Sequence, residues 1–158
     1  MRRVIDGQTI DGPTDRGGTR IENLEFHRCY FEGAALSVSR DPGRRTTVRN
    51  VHLVGCEQRG CTVYVALLES VRVDGLKTNG LLQCWGAAFR NVTLRGKIER
   101  LMISHRVAPG VATAEEQRAF DRANRDYYAS VDWALDISEG AFNVLDIRGV
   151  PSDLIRRD

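Results

Sequence analysis

The chain has 158 residues, enough for one ordinary domain with a sizeable core and too few to expect two. A hydrophobic share of 42% beside 28% charged residues excludes general disorder. With 23 basic and 21 acidic residues scattered along the chain, the net charge of +2 leaves no electrostatic footprint for nucleic acid and does not mimic it either.

The first segment, MRRVIDGQTIDGPTDRGG, has no apolar run of signal-peptide length, and no later run is long enough to cross a bilayer. No membrane partner is therefore expected, and a cytoplasmic location is the default. Residues 1–20 are read as an N-terminal cap, because a repeat array must cover the edges of its terminal units.

From Ile21 the chain repeats itself. Ile21, Leu24, Phe26, Cys29 and Gly33 recur as Val48, Val51, Leu53, Cys56 and Gly60 once the seven residues DPGRRTT are set aside as an insertion. They recur again, twenty residues on, as Leu68, Val71, Val73, Leu76 and Gly80. A fourth unit keeps Phe89, Val92 and Leu94 and loosens at Lys97 and Leu101. A period near twenty residues signals a solenoid, whose units bury their apolar faces only by stacking. Within each unit the apolar residues alternate with polar ones: Glu25 lies between Leu24 and Phe26, His52 between Val51 and Leu53, and Arg72 between Val71 and Val73. Period two means strands with one buried face. Leucine-rich repeats would need more Leu and a fixed Asn, so the expected fold is an all-β solenoid, a parallel β-helix of about five coils, with coils one to four over residues 21–108. Two columns support the register. Asn23, Asn50, Ser70 and Asn91 form a polar column, and Gly55, Gly75 and Gly96 fall where the chain must turn.

The period stops between His105 and Phe142. Thr113 stands three residues before Glu116, the spacing of a capping box, and Phe120, Ala123 and Tyr127 make a narrow apolar stripe, so residues 109–130 are expected to be a helical insertion folded against the solenoid. The sharper expectation is that Phe120, Tyr127, Tyr128 and Trp133 form a partner surface, since clustered aromatics near an Arg are typical anchors. Residues 131–158 are read as the last coil. VDWALDIS rejoins the sheet, and Phe142, Leu145, Ile147 and Val150 repeat the unit spacing. No cap is evident after it, so the expectation is either that the protein continues or that the open C-terminal coil meets another protein or a second copy.

IENLEFHRCYFEG and VRNVHLVGCEQRG resemble coils of the right-handed parallel β-helix superfamily, which includes the pectate-lyase-like and, more distantly, the pentapeptide-repeat proteins. The resemblance covers residues 21 to about 105 and 142 to 150. A coil of twenty residues equals four pentapeptides, and Leu24 and Cys29 are five apart, but Glu22 and His27 replace the small residue that pentapeptide repeats keep; the pectate-lyase-like type is the nearer likeness. It implies a carbohydrate ligand as one possibility, with carboxylates and a basic residue on the outer face of adjacent coils.

The outward positions are Glu25, His52, Arg72, Thr93 and Asp146 in one column and His27, Asp74, Arg95 and Arg148 in another. Mixed charge is what a solvated ladder needs. Asp74, Arg72 and Arg95 are the catalytic candidates if the chain is an enzyme. His27, His52 and His105 do not converge on one metal, and Cys29, Cys56, Cys61 and Cys84 lack a CxxC spacing and read as small apolar residues. No cofactor or metal is expected, and no phosphate loop, GxSxG or HExxH is present. The favoured expectation is a non-enzymatic protein-binding or scaffold module of bacterial type, similar in fold-level analogy to immunity and adaptor proteins. The alternative is a carbohydrate-active enzyme or a fragment of one.

Overall fold

The computed structural model describes residues 1–12 and 14–158. Before the insertion the chain forms β1 (Arg3–Asp6), β2 (Thr9–Asp11), β3 (Arg20–His27), β4 (Tyr30–Glu32), β5 (Ala35–Leu36), β6 (Thr47–Arg59), β7 (Thr62–Val63), β8 (Leu67–Lys77), β9 (Leu82–Trp85), β10 (Ala88–Arg90), β11 (Val92–Ile98) and β12 (Arg100–Ser104). The helix α1 (Ala114–Tyr128) follows, and then β13 (Leu135–Asp136), β14 (Gly140–Ala141), β15 (Val144–Ile147) and β16 (Ile155–Arg156). The large sheet runs β1-β3-β6-β8-β11-β13-β16, and a second one runs β5-β7-β9-β12-β15. The pairings along both are parallel. Parallel sheets that return to the same neighbour after every crossover, with one helix, are the arrangement a β-solenoid needs.

The repeat register is the pairing register. Leu24 lies beside Val51 and Val51 beside Val71, while Ile5, Phe26, Leu53, Val73 and Leu94 form the next inward column. These columns fill the main core, which also takes in Cys29, Cys56, Leu76, Ile98 and Leu135. The polar column marks a corner. Asn23, Asn50, Ser70 and Asn91 all have positive φ between 51° and 59°, a left-handed conformation that Asn tolerates better than most residues. Asn50 Nδ2 donates to Asn23 Oδ1 at 2.7 Å, so the corner is bonded along the stack as well as within it. Gly55, Gly75 and Gly96 take the same conformation five residues further on, where a side chain would be strained.

Two registers differ from the sequence expectation. At the fourth unit, Ile98 and not Lys97 stacks on Leu76, because the pairing shifts between Arg95 and Ile98. The extra residue lets Ile98 bury while the Lys97 ammonium stays in water. At the last unit, Leu145 and Ile147 pair with Leu101 and Ile103 in the smaller sheet, whereas Leu135 and Asp136 continue the column of Val92 and Thr93. Asp146 and Arg148 therefore leave the outward columns assigned to them, and Asp136 follows Thr93. Period-two patterning looks alike on every side of a coil, so only the pairing partner separates one side from another.

The ends of the stack are sheet edges. Residues 1–20, expected as a cap, supply β1 and β2, which pair in register with β3 and β4 and so extend the stack by another pass. At the other end β16 pairs with β13.

Candidate interaction surface

The helix starts where the sequence places it. Thr113 Oγ1 accepts from the Glu116 amide at 3.1 Å, and Glu116 Oε1 accepts from the Thr113 amide at 2.8 Å. Arg40 then grips both Glu116 oxygens at 2.8 and 2.9 Å, and these bonds hold the Glu116 carboxyl down to about 2. The cap thus also ties the helix to the loop before β6.

Phe120 is completely buried, with Val65 and Val107, in a small core separate from the main one. The Arg45 guanidinium lies 5.2 Å from the Phe120 ring centre, and its Nη1 donates to Asn124 Oδ1 at 2.6 Å. Burial is the main influence on Arg45 and pulls its pKa down, and among the described residues no carboxylate stands within ion-pair distance of it. A cation held by a ring face and an amide keeps the helix in one azimuth.

Tyr128 is also buried, and its hydroxyl accepts from the Phe89 amide at 3.1 Å. The reason lies in the sheet: β10 pairs with β8 on one side only. The helix covers the other side, and the phenol oxygen takes the place of a strand carbonyl. Burial pushes the Tyr128 phenol up to about 12, against the opposing effect of the Phe89 bond. Replacing Tyr128 by Phe leaves that buried amide without an acceptor and should cost about 1–3 kcal/mol in urea unfolding while helix content by circular dichroism stays unchanged.

The four aromatics expected as partner anchors therefore divide. Phe120 and Tyr128 face the protein's own interior, out of reach of a partner that meets the chain as folded. Tyr127 is half-buried; its hydroxyl donates to Glu69 Oε2 at 2.7 Å, and Arg90 lies over its ring at 5.0 Å. Its phenol is raised, first by burial and then by the Glu69 carboxylate. Trp133 is half-exposed, with the Arg156 guanidinium 4.3 Å from its ring centre. Arg156 belongs to β16, the last strand of the large sheet. Next to this edge an open cleft of about 610 Å³ separates α1 from the turn before β16, lined by His105, Asp121, Asn124, Arg125, Asp153 and Leu154 among others.

The outward ladder holds two groups of ionic contacts. Arg2 and His27 lie 3.5 and 3.1 Å from Glu25, and His52 lies 3.9 Å from it. Glu25 is lowered, first by the His27 bond, and His52 is lowered, first by burial and then by Arg2. Further along, Arg72 Nε donates to Asp74 Oδ2 at 2.9 Å, Arg95 Nε lies 3.6 Å from Asp74 Oδ1, and Arg95 reaches Glu139 at 2.8 Å. The structure thus brings Arg72, Asp74 and Arg95 together, with both Asp74 oxygens facing guanidinium groups. Among the described residues no cluster of three His, Cys, Asp or Glu side chains has metal-binding geometry. Among the described residues no helix is long and apolar enough to cross a membrane.

The residues that sequence reasoning missed are Arg45, Glu69 and Asn124. Arg45 meets Asn124 across 79 residues and Glu69 meets Tyr127 across 58, separations at which no local pattern carries a signal. The chain matches no protein family, no curated protein and no solved structure.

Proposed function

We propose that the chain is a non-enzymatic protein-binding module of bacterial type, built as a right-handed parallel β-helix of about five coils in the manner of the pectate-lyase-like superfamily, and working in the cytoplasm as an adaptor or immunity-like protein. One observation carries this reading: the large sheet ends in the short edge strand β16, beside an open cleft, with Trp133 and Arg156 stacked at the border. An edge strand offers main-chain bonds to an extended segment of another protein, and a half-exposed Trp with Arg against it is the side-chain chemistry that anchors such contacts.

The test compares capture from a native lysate by the intact protein and by Trp133→Ala. A protein retained by the first and lost by the second, with the variant's stability within about 1 kcal/mol of the parent, is the expected result. Equal capture by both removes the C-terminal border as the binding site. The second reading, a carbohydrate-active enzyme, is favoured by the contiguity of Arg72, Asp74 and Arg95. It takes precedence if neither form captures a protein and an acidic polysaccharide is cleaved by the parent but not by Asp74→Asn.

A further inference from the structure

The opposite end of the large sheet is bounded by β1, which among the described residues pairs with β3 and with no second strand. Native proteins blunt such edges with a central charge, a proline or a covering loop. Here the middle of the edge is Val4, which is 56% exposed, and Ile5 behind it is only half-buried at the end of the core.

The free hydrogen-bonding groups of this edge can be identified. The Gly7 amide donates to the His27 carbonyl, so the main-chain groups of the odd-numbered residues of β1 point toward β3. By strand alternation those of Val4 and Asp6 point outward, away from the sheet. The outward side chains are also the even-numbered ones, since Val4 and Asp6 lie beside Glu25 and His27 of the charged ladder. Along the edge the pattern is Arg2, Val4, Asp6, cation, apolar, anion.

That pattern is its own complement when reversed. We infer that β1 pairs antiparallel with β1 of a second copy of this chain about a two-fold axis through Val4. In that register Val4 faces Val4 of the other copy as a hydrogen-bonded pair, and Arg2 faces the other copy's Asp6 twice over. Main-chain bonding and side-chain facing agree, since both select even-numbered residues on each strand. The charges extend existing pairs. Asp6 is bonded to Arg28 at 2.6 Å and Arg2 lies 3.5 Å from Glu25, so joining them alternates sign along Arg28, Asp6, Arg2 and Glu25 across the boundary. The contact is isologous and closes at two copies, leaving the C-terminal borders free at the two ends. The inference is independent of the proposed function, which uses the other end of the stack.

Sedimentation velocity over a range of protein concentrations tests it on three proteins. The parent should dimerise. Val4→Lys sets two like charges in register on the axis and should raise the dimer dissociation constant about tenfold or more, with its thermal midpoint unchanged when measured as a monomer. Val4→Cys should form a disulfide-linked dimer under mild oxidation, because a hydrogen-bonded antiparallel pair holds its Cα atoms about 5.5 Å apart, within disulfide range. The parent controls for the native thiols, of which Cys29, Cys56 and Cys84 are buried and Cys61 is half-buried. A parent that stays monomeric at every concentration overturns the inference. So does a dimer that Val4→Lys leaves intact and Val4→Cys does not cross-link, which would place the contact elsewhere, at the β16 edge or on the helix.

Discussion

Replacing Phe120 by Ala should lower the unfolding free energy by about 3–5 kcal/mol, the range for truncating a buried aromatic ring. Phe120 has no exposed surface, and its ring is the centre of the small core with Val65 and Val107. It is also the platform under the Arg45 guanidinium, so truncation leaves a cavity beside a buried cation. Urea unfolding followed by circular dichroism measures the loss, and hydrogen exchange shows where it falls. Amides of α1 should lose protection first, because the small core packs the helix against the segments before β8 and after β12, while the columns of β6 and β8 keep theirs. A variant that melts like the parent but fails to bind a partner would mean that Phe120 turns outward in solution, as the aromatic cluster in the sequence first suggests.

Gly86→Ala should cost roughly 2–5 kcal/mol, from a left-handed backbone at about 1–2 and a forced overlap at about 1–3. Gly86 has φ +75°, and a Cβ there would stand 2.3 Å from Val107 Cγ1 and 3.1 Å from Val65 Cγ1. The position has no freedom to move away. Its amide donates to the Ser104 carbonyl at 2.8 Å, and its carbonyl accepts from Asn124 Nδ2 at 3.3 Å. The strain therefore falls on the same small core that Phe120 fills, and combining the two substitutions should cost less than their sum because the cavity left by Phe120 gives Val107 room. An urea midpoint for Gly86→Ala close to that of the parent would show that Val107 relaxes freely and that the corner is not tight.

Much of the architecture can be read from the chain because its units are short and alike. The columns from Ile21 to Val73 are legible, since each inward residue meets a residue of the same kind one unit away. The capping box at Thr113 and Glu116 is legible for a different reason: its partners are three residues apart. Legibility fails where two arrangements satisfy the same local pattern. Leu145 and Ile147 alternate as any strand would, and nothing nearby says which sheet they join. Lys97 and Ile98 are separated by a one-residue shift that depends on which of them the core accepts. Phe120 and Tyr128 are equally good as partner anchors and as packing residues, and the choice between these depends on Val65 between β7 and β8, Val107 after β12 and Phe89 in β10, all remote from them in the chain.

The amino-acid sequence by itself determined the repeat, its strand period, the polar and glycine corners and the helical interruption, because these depend on interactions within a unit or between identical positions of adjacent units. Tertiary structure alone decided the role of the insertion and the nature of the ends. The helix covers the open side of β10 with a tyrosine oxygen where a strand would have been, an exchange that depends on where Phe89 and Tyr128 meet in space. At the first end residues 3–11 pair in register with β3 and β4, and Val4 is exposed on β1, which among the described residues pairs with β3 alone. Burial is a property of the assembled stack, and no residue carries it alone.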